Sequence, residues 1–291
     1  MINLSIIIPH KNTSDLLQRC INSIPRQEDI QIIIADDNSD PDKVDFENFP
    51  GLNDPFVEVI FDKNEYGRKG AGYARNLGLE RAKGKWLLFA DADDFFTEDA
   101  FDCIFSEKDS PHEVIYFKTM RLISGAYFPY TANNRINKTG VEDCIRYNSN
   151  PPWGKMINRE LVVRNNIRFE ETSSGNDVMF SVLTGHFAKS VNTVAKTIYV
   201  YTSNKGSISH TMNLEKMTAR YISCLRINKF LREAGKKQYQ RSIMIYLFRS
   251  RKYGIKTFFY FLRLAIQYKN NPFIGISHWL SNYQTLYRSR K

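Results

Sequence analysis

Cysteine is scarce and badly spaced for cross-linking. Cys20, Cys103, Cys144 and Cys224 lie far apart, and no two have Cys-x-x-Cys spacing. That excludes a disulfide framework and a thiolate zinc site, and fits a reducing cytoplasm. No apolar run approaches the ~20 residues that a bilayer-spanning helix needs. The chain enters a strand-like run at Leu4 without the cationic region and long apolar core of a secretion signal. Neither Gly-x-Gly-x-x-Gly after the first strand nor Gly-x-x-x-x-Gly-Lys-Ser/Thr occurs, which counts against dinucleotide redox folds and P-loop nucleoside triphosphatases. Internal repeats and low-complexity tracts are absent as well. Acidic residues run out toward the C-terminus. From Asn213 to Lys291 there are 17 Lys+Arg and 2 acidic residues, Glu215 and Glu233, a formal +15; Met1 to Met212 has 24 basic and 29 acidic residues, a formal −5. A slightly acidic body with a basic tail points to an anionic partner for the tail.

What is present is a strand–helix alternation in a 291-residue chain that is 42% hydrophobic, ample for a sizeable core. Leu4–Pro9, Ile30–Ala35, Phe56–Asp62 and Trp86–Ala90 read as strands. Leu16, Leu17, Cys20, Ile21 and Ile24 recur at helical spacing before Pro25, and 71–82 reads as a second helix stopped by Gly84. This alternation predicts a parallel sheet of βαβ units. After a helix over 97–105 the pattern changes: 113–120 and 124–130 alternate like antiparallel strands, 158–164 reads as a short helix, and Asn176-Asp177 opens another. From Met212 onward the chain is helical, basic and aromatic.

Polar clusters follow several of these strands: Pro9 to Asn12, Ala35 to Ser39, and Asp91 to Asp94. In a parallel sheet such ends share one edge, where open α/β sheets bind ligands. Three carboxylates within four residues, Asp91, Asp93 and Asp94, repel one another unless a cation compensates them. A metal–diphosphate site is one reading; carboxylates that start the next helix are the other. Asp37 could accept a nucleobase N–H or a ribose hydroxyl. Arg68, Lys69 and Arg75 surround glycines as a diphosphate loop would, or the glycines make a plain turn. His10, His112, His186 and His278 are scattered and read as structural.

Four runs in order, Ser5–Pro9, Ile33–Asp40, Gly72–Gly78 and Gly84–Asp94, resemble glycosyltransferase family 2, over most of residues 2–105. Trp153-Gly154-Lys155, Asn176-Asp177 and Tyr201 through Gly206–Ser209 add weaker matches. The resemblance implies the GT-A fold: a Rossmann-like, mostly parallel α/β sheet with helices on both faces, here with a helical basic appendage. It implies a catalytic domain over 1–211, with a nucleotide-binding half (1–105) and an acceptor half (106–211), followed by the tail, 212–291. It implies an inverting, metal-dependent transfer of a hexosyl or N-acetylhexosaminyl group from a nucleotide sugar, a UDP-sugar being the expected donor, to a saccharide or lipid-linked saccharide hydroxyl in bacterial surface polysaccharide assembly. Asp37 would bind the base with Pro9 lining its pocket. Arg68, Arg75 and Asp91 would contact the nucleotide. Asp93 with Asp91 would hold Mg²⁺ or Mn²⁺, and Asp177 would be the catalytic base. Lys205 and His210 are phosphate candidates, and Trp153 is an acceptor platform or a core residue. Two departures stand out: Lys11 where the family is commonly aromatic, and Asn176 where it commonly has glutamate. Asp177 could otherwise be a helix N-cap. The alternatives are a nucleotidyltransferase and a catalytically silent, membrane-associated sugar-nucleotide binding protein. The tail reads as an interfacial segment on the inner face of the cytoplasmic membrane, as aromatics packed on the body with a solvated charged face, or as a nucleic-acid binder, the last without a recognised motif.

Overall fold

In the computed structural model, residues 2–62, 70–130, 141–203 and 213–274 are described. Chain contacts divide it into two compact units, Met1–His210 and Thr211–Lys291.

The first unit is built on a nine-stranded sheet in the order β3-β2-β1-β4-β8-β6-β9-β5, with β7 paired to β6. β1 (Leu4–His10) pairs in parallel with β2 (Ile30–Asp36) and β4 (Trp86–Phe89), and β2 pairs in parallel with β3 (Val57–Phe61). β8 (Lys155–Asn158) joins β4 to β6 (Val114–Ile123) by antiparallel ladders. β6 pairs in parallel with β9 (Val191–Thr202), which pairs antiparallel with the two-residue β5 (Phe95–Phe96). β7 (Ala126–Pro129) completes the expected antiparallel hairpin with β6.

Both faces are covered, and the side-chain period of two sorts the residues. Leu4, Ile6 and Ile8 face α1 (Ser14–Asn22) and α3 (Ala100–Ser106), in one core with Leu17, Ile21 and Ile104. Ile7, Ile33, Leu87 and Phe89 lie in the other core, with Leu161 of α5 (Arg159–Arg164), Phe180 of α6 (Val178–Phe187) and Leu79 of α2 (Ala71–Arg81). This double burial is why the strands read as unbroken apolar runs. One further helix, α4 (Val141–Asn148), packs near α6 through the Arg146 guanidinium, which donates to Gly185 O and Ala188 O at 2.7 Å.

The second unit has α7 (Leu214–Glu233), α8 (Met244–Ser250) and α9 (Ile255–Gln267) around its own core. Tyr221 stacks on Phe261 at 4.5 Å, and its hydroxyl donates to Phe261 O at 2.9 Å. Some of the tail's aromatics therefore pack within the tail itself. No helix among the described residues is long and apolar enough to cross a membrane.

Candidate active site

The ends of β1 and β2 are laced together. The Asp37 N–H donates to His10 O at 2.8 Å, the Asn12 N–H donates to Ser39 Oγ at 2.9 Å, and the Asp40 N–H donates to Asn12 Oδ1 at 2.8 Å. Asn12 and Asn38 adopt positive φ, 58° and 52°, a conformation that asparagine tolerates better than most residues. His10 is buried and holds Asp36 through Nδ1 at 2.8 Å, while its Nε2 accepts the Thr13 N–H at 3.1 Å. Burial raises the Asp36 pKa, but hydrogen bonds from His10 and Ser39 outweigh it and hold the carboxyl below its usual range. The structural role read for His10 thus has a specific content: it fixes the turn that presents Asp37. Pro9 sits in β1 opposite Ala35, buried beneath that turn.

The Asp37 carboxylate accepts the Gly70 N–H, at 2.9 Å to Oδ1 and 3.1 Å to Oδ2. Lys11 Nζ donates to Asp37 O at 2.8 Å and lies 3.5 Å from Oδ2. The family's aromatic position is thus a cation beside the carboxylate.

At the end of β4 the three carboxylates separate into three roles. Asp91 pairs with Arg75 at 2.5 Å. Asp94 is fully buried; Thr202 N–H donates to its Oδ1 at 2.7 Å and Tyr199 Oη donates to Oδ2 at 2.8 Å. Burial, then repulsion from Asp91 and Asp93, raises its pKa well above the ordinary value. Because α3 begins only at Ala100, neither Asp93 nor Asp94 starts a helix, and that sequence reading is corrected. Asp94 instead ties the turn to β9. Asp93 remains half-buried, and its pKa is raised to about 6 by burial and by the neighbouring Asp91 charge.

Two residues that the sequence reading missed hold this turn. Arg19 of α1 donates to Asp93 O at 2.5 Å and to Thr202 Oγ1 at 3.2 Å. Tyr199 Oη accepts the Asp91 N–H at 2.8 Å while donating to Asp94.

Arg75 connects the two halves of the site. Besides Asp91, it donates to Asn176 Oδ1 at 3.0 Å, and its guanidinium lies 5.3 Å from the Phe169 ring centroid. The N-terminal turn of α2 is pressed onto the 170–176 loop: a Cβ on Gly72 would lie 2.1 Å from Glu170 O. Asp177 follows Asn176 at the start of α6. Its side chain makes no cap hydrogen bond, and its backbone is already helical, φ −91° and ψ −22°. Asp177 thus holds the N-cap position of α6 without a side-chain capping bond. Burial raises the Asp177 pKa, opposed by the charge of Arg75.

Lys155 is buried in β8, with its Nζ donating to Ser149 O at 2.7 Å. Burial lowers its pKa to about 7, opposed by the Asp177 charge. Trp153 is 4% exposed, stacked on Tyr199 and Tyr201 with Tyr130 against its edge. That is the core alternative, and its burial leaves no face for an acceptor platform. Arg68, Lys205 and His210 lie outside the described residues.

Among the described residues no group of three or more His, Cys, Asp and Glu side chains is set to hold a metal ion. The donor set at the β4 end nonetheless fits a hard cation completed by phosphate oxygens: it offers carboxylate oxygen, and Asp93 carries a charge that its surroundings raise in energy.

A parallel half-sheet, a carboxylate turn at its edge and an antiparallel extension that carries the second half of the site define a GT-A glycosyltransferase. Solved structures share the fold. Staphylococcus aureus TarS with UDP-GlcNAc matches with a TM-score of 0.66 at 21% identity, over 87% of this chain and 73% of that one. A Pyrobaculum calidifontis mannosyltransferase with GDP-Man and Mn²⁺ matches with a TM-score of 0.56 at 14% identity, over 98% and 80%. The family model "Glycosyl transferase family 2" matches residues 5–164. The chain belongs to glycosyltransferase family 2. Among its relatives is the Escherichia coli UDP-Glc:alpha-D-GlcNAc-diphosphoundecaprenol beta-1,3-glucosyltransferase WfaP, 25% identical over 84% of this chain and 92% of that protein.

Proposed function

We propose that this enzyme transfers a hexosyl or N-acetylhexosaminyl group, with inversion, from a UDP-sugar to a hydroxyl of a saccharide or lipid-linked saccharide acceptor in surface polysaccharide assembly. The observation that carries the reading is the Arg75 bridge. One guanidinium joins Asp91, on the donor side, to Asn176, immediately before Asp177.

At the base end, Asp37 offers an acceptor and Lys11 a donor within 3.5 Å of each other. That pair complements an N–H beside a C=O, as on the imide edge of uracil and the lactam edge of guanine. The uridine donors named for TarS and WfaP agree with it. Pro9 and the His10–Asp36 network keep the turn rigid beneath the base. Asp91 faces the nucleotide side, and Arg75 orients it.

Asp93, with Asp91, would hold Mg²⁺ or Mn²⁺, which when bound neutralises the charge that develops on the departing diphosphate. The mannosyltransferase with Mn²⁺ shares this fold. Asp177 accepts the proton of the acceptor hydroxyl as that oxygen attacks the anomeric carbon opposite the leaving group, so a single base on that face suffices. Its raised pKa makes it a stronger proton acceptor than an exposed aspartate. Lys205 and His210 are assigned to the phosphates by resemblance alone, and Arg68 by the glycines that flank it.

Thermal-shift titration with UDP, GDP, CDP and ADP, each with and without Mn²⁺, tests the donor reading. The expected result is stabilisation by UDP that Mn²⁺ enhances. No response to any nucleotide contradicts it. A response to triphosphates only would favour the nucleotidyltransferase alternative, and binding of UDP-sugars without UDP release would favour the silent binding protein.

A further inference from the structure

Helix α9 is apolar on both sides. Phe261 and Ala265 point into the core of the second unit. The opposite side presents Ile255, Phe259, Tyr260 and Ile266, exposed by 63, 59, 49 and 69%. On a 3.6-residue helix Ile255, Phe259 and Ile266 form one stripe within about 40°, and Tyr260 lies about 100° further round the same outward side. Lys256 and Arg263 are exposed between that stripe and Tyr260. A solvated face does not need four large apolar side chains, and a core face would not interleave them with exposed cations.

The charge around the stripe is of one sign. Glu233 is the last acidic residue of the chain, and the 58 residues after it carry 12 Lys+Arg. A second copy of this unit would have to bury like charge against like charge, which costs free energy. A bilayer with anionic headgroups would take the apolar side chains into its interfacial zone and satisfy the cations at its surface. Phe273, shortly after α9 in the chain, is 68% exposed as well.

We infer that the outward stripe of α9 seats this protein on an anionic lipid surface, with Phe259 and Ile266 inserted and Lys256 and Arg263 on the headgroups. The helix lies in the interface plane and does not span it. The inference rests on the second unit alone and stands apart from the identity of the donor. A lipid-linked acceptor would already lie in such a surface.

The test is vesicle flotation of the full-length protein. Vesicles of phosphatidylcholine alone are compared with vesicles containing about 30% phosphatidylglycerol, at low and at about 1 M salt. Co-flotation with the anionic vesicles, weakened by salt, is expected. Phe259→Ser with Ile266→Ser should lower the bound fraction at least about tenfold, even at low salt, because two inserted side chains are lost. Lys256→Gln with Arg263→Gln should lower it on anionic vesicles and leave a weaker dependence on salt than the parent shows. Both variants should keep the melting temperature and the nucleotide response of the parent, because all four side chains are exposed. Absence of flotation, or equal flotation of the apolar variant, overturns the inference. So does a parent dimer that the apolar variant converts to monomer by light scattering, because the stripe would then be a subunit interface. A parent that floats as described without responding to nucleotides would leave the lipid surface in place and remove the donor reading.

Discussion

A carboxylate that must sit beside another, in a half-dry turn, keeps its proton to a higher pH than one in water. Asp93 is in that position. Its pKa of about 6 lies above the ordinary 3.8, so the folded state binds this proton more tightly than the unfolded chain. The sign follows: ionised Asp93 costs stability above about pH 6, and the cost fades as pH falls toward 4. A cation at Asp93 opposes the same cost. Mn²⁺ should therefore raise the melting temperature more at about pH 7.5 than at about pH 5. Equal shifts, or none, would show that Asp93 is not a ligand. Lys11 makes a second residue-scale prediction. Lys11→Met should weaken UDP binding roughly tenfold and leave CDP nearly unchanged, because one charge-assisted hydrogen bond to a carbonyl is lost. Calorimetric titration of both nucleotides checks it; an unchanged UDP-to-CDP ratio removes Lys11 from base selection. Lys155 acts at a distance. Its charge lowers the Asp177 pKa, so Lys155→Met should move the acid limb of the turnover–pH profile upward.

Elements bring these residues together, and two contacts decide how well. The first turn of α2 meets the 170–176 loop so closely that Gly72 has no room for a methyl group. Gly72→Ala should push Glu170 away, cost about 1–3 kcal/mol of stability by overpacking, and reduce turnover by displacing Asn176 and Asp177. Thermal melting and UDP release measure the two effects. β9 grips the carboxylate turn through one phenol. Tyr199→Phe leaves the Asp91 N–H and the buried Asp94 each short of a partner, at about 1–3 kcal/mol per group, and should lower stability without altering the base preference. The elements themselves were legible in the sequence, because doubly buried strands leave long apolar runs and the polar clusters follow them directly. The braces were not. Tyr199 stands 108 positions after Asp91 and Arg19 stands 74 before Asp93. A buried tyrosine in a β-rich run has the same local pattern as any core aromatic. Asp94 was misplaced for a related reason: adjacent carboxylates look alike in sequence, and only the arrival of β9 separates the buried one from the half-buried pair.

At the scale of the whole molecule, the composition shift and the two compact units run side by side along the chain. The acidic-leaning stretch holds the sheet and the candidate site, and the basic stretch forms a separate helical unit. The tail's aromatics look uniform in sequence, yet Tyr221 and Phe261 are core while Phe259 and Ile266 face outward. Helical phase decides between them, and it becomes visible only once the boundaries of α9 are fixed. In the proposed function one region of the first unit binds the donor through Asp37, Asp91 and Asp93, and a separate carboxylate, Asp177, drives the transfer. Asp177→Asn separates these directly, since it removes the proton acceptor at nearly constant volume. Measured with a UDP-sugar that the parent turns over, the variant should keep its UDP affinity within about twofold and lose about a thousandfold in UDP release. Turnover within tenfold of the parent would contradict the account.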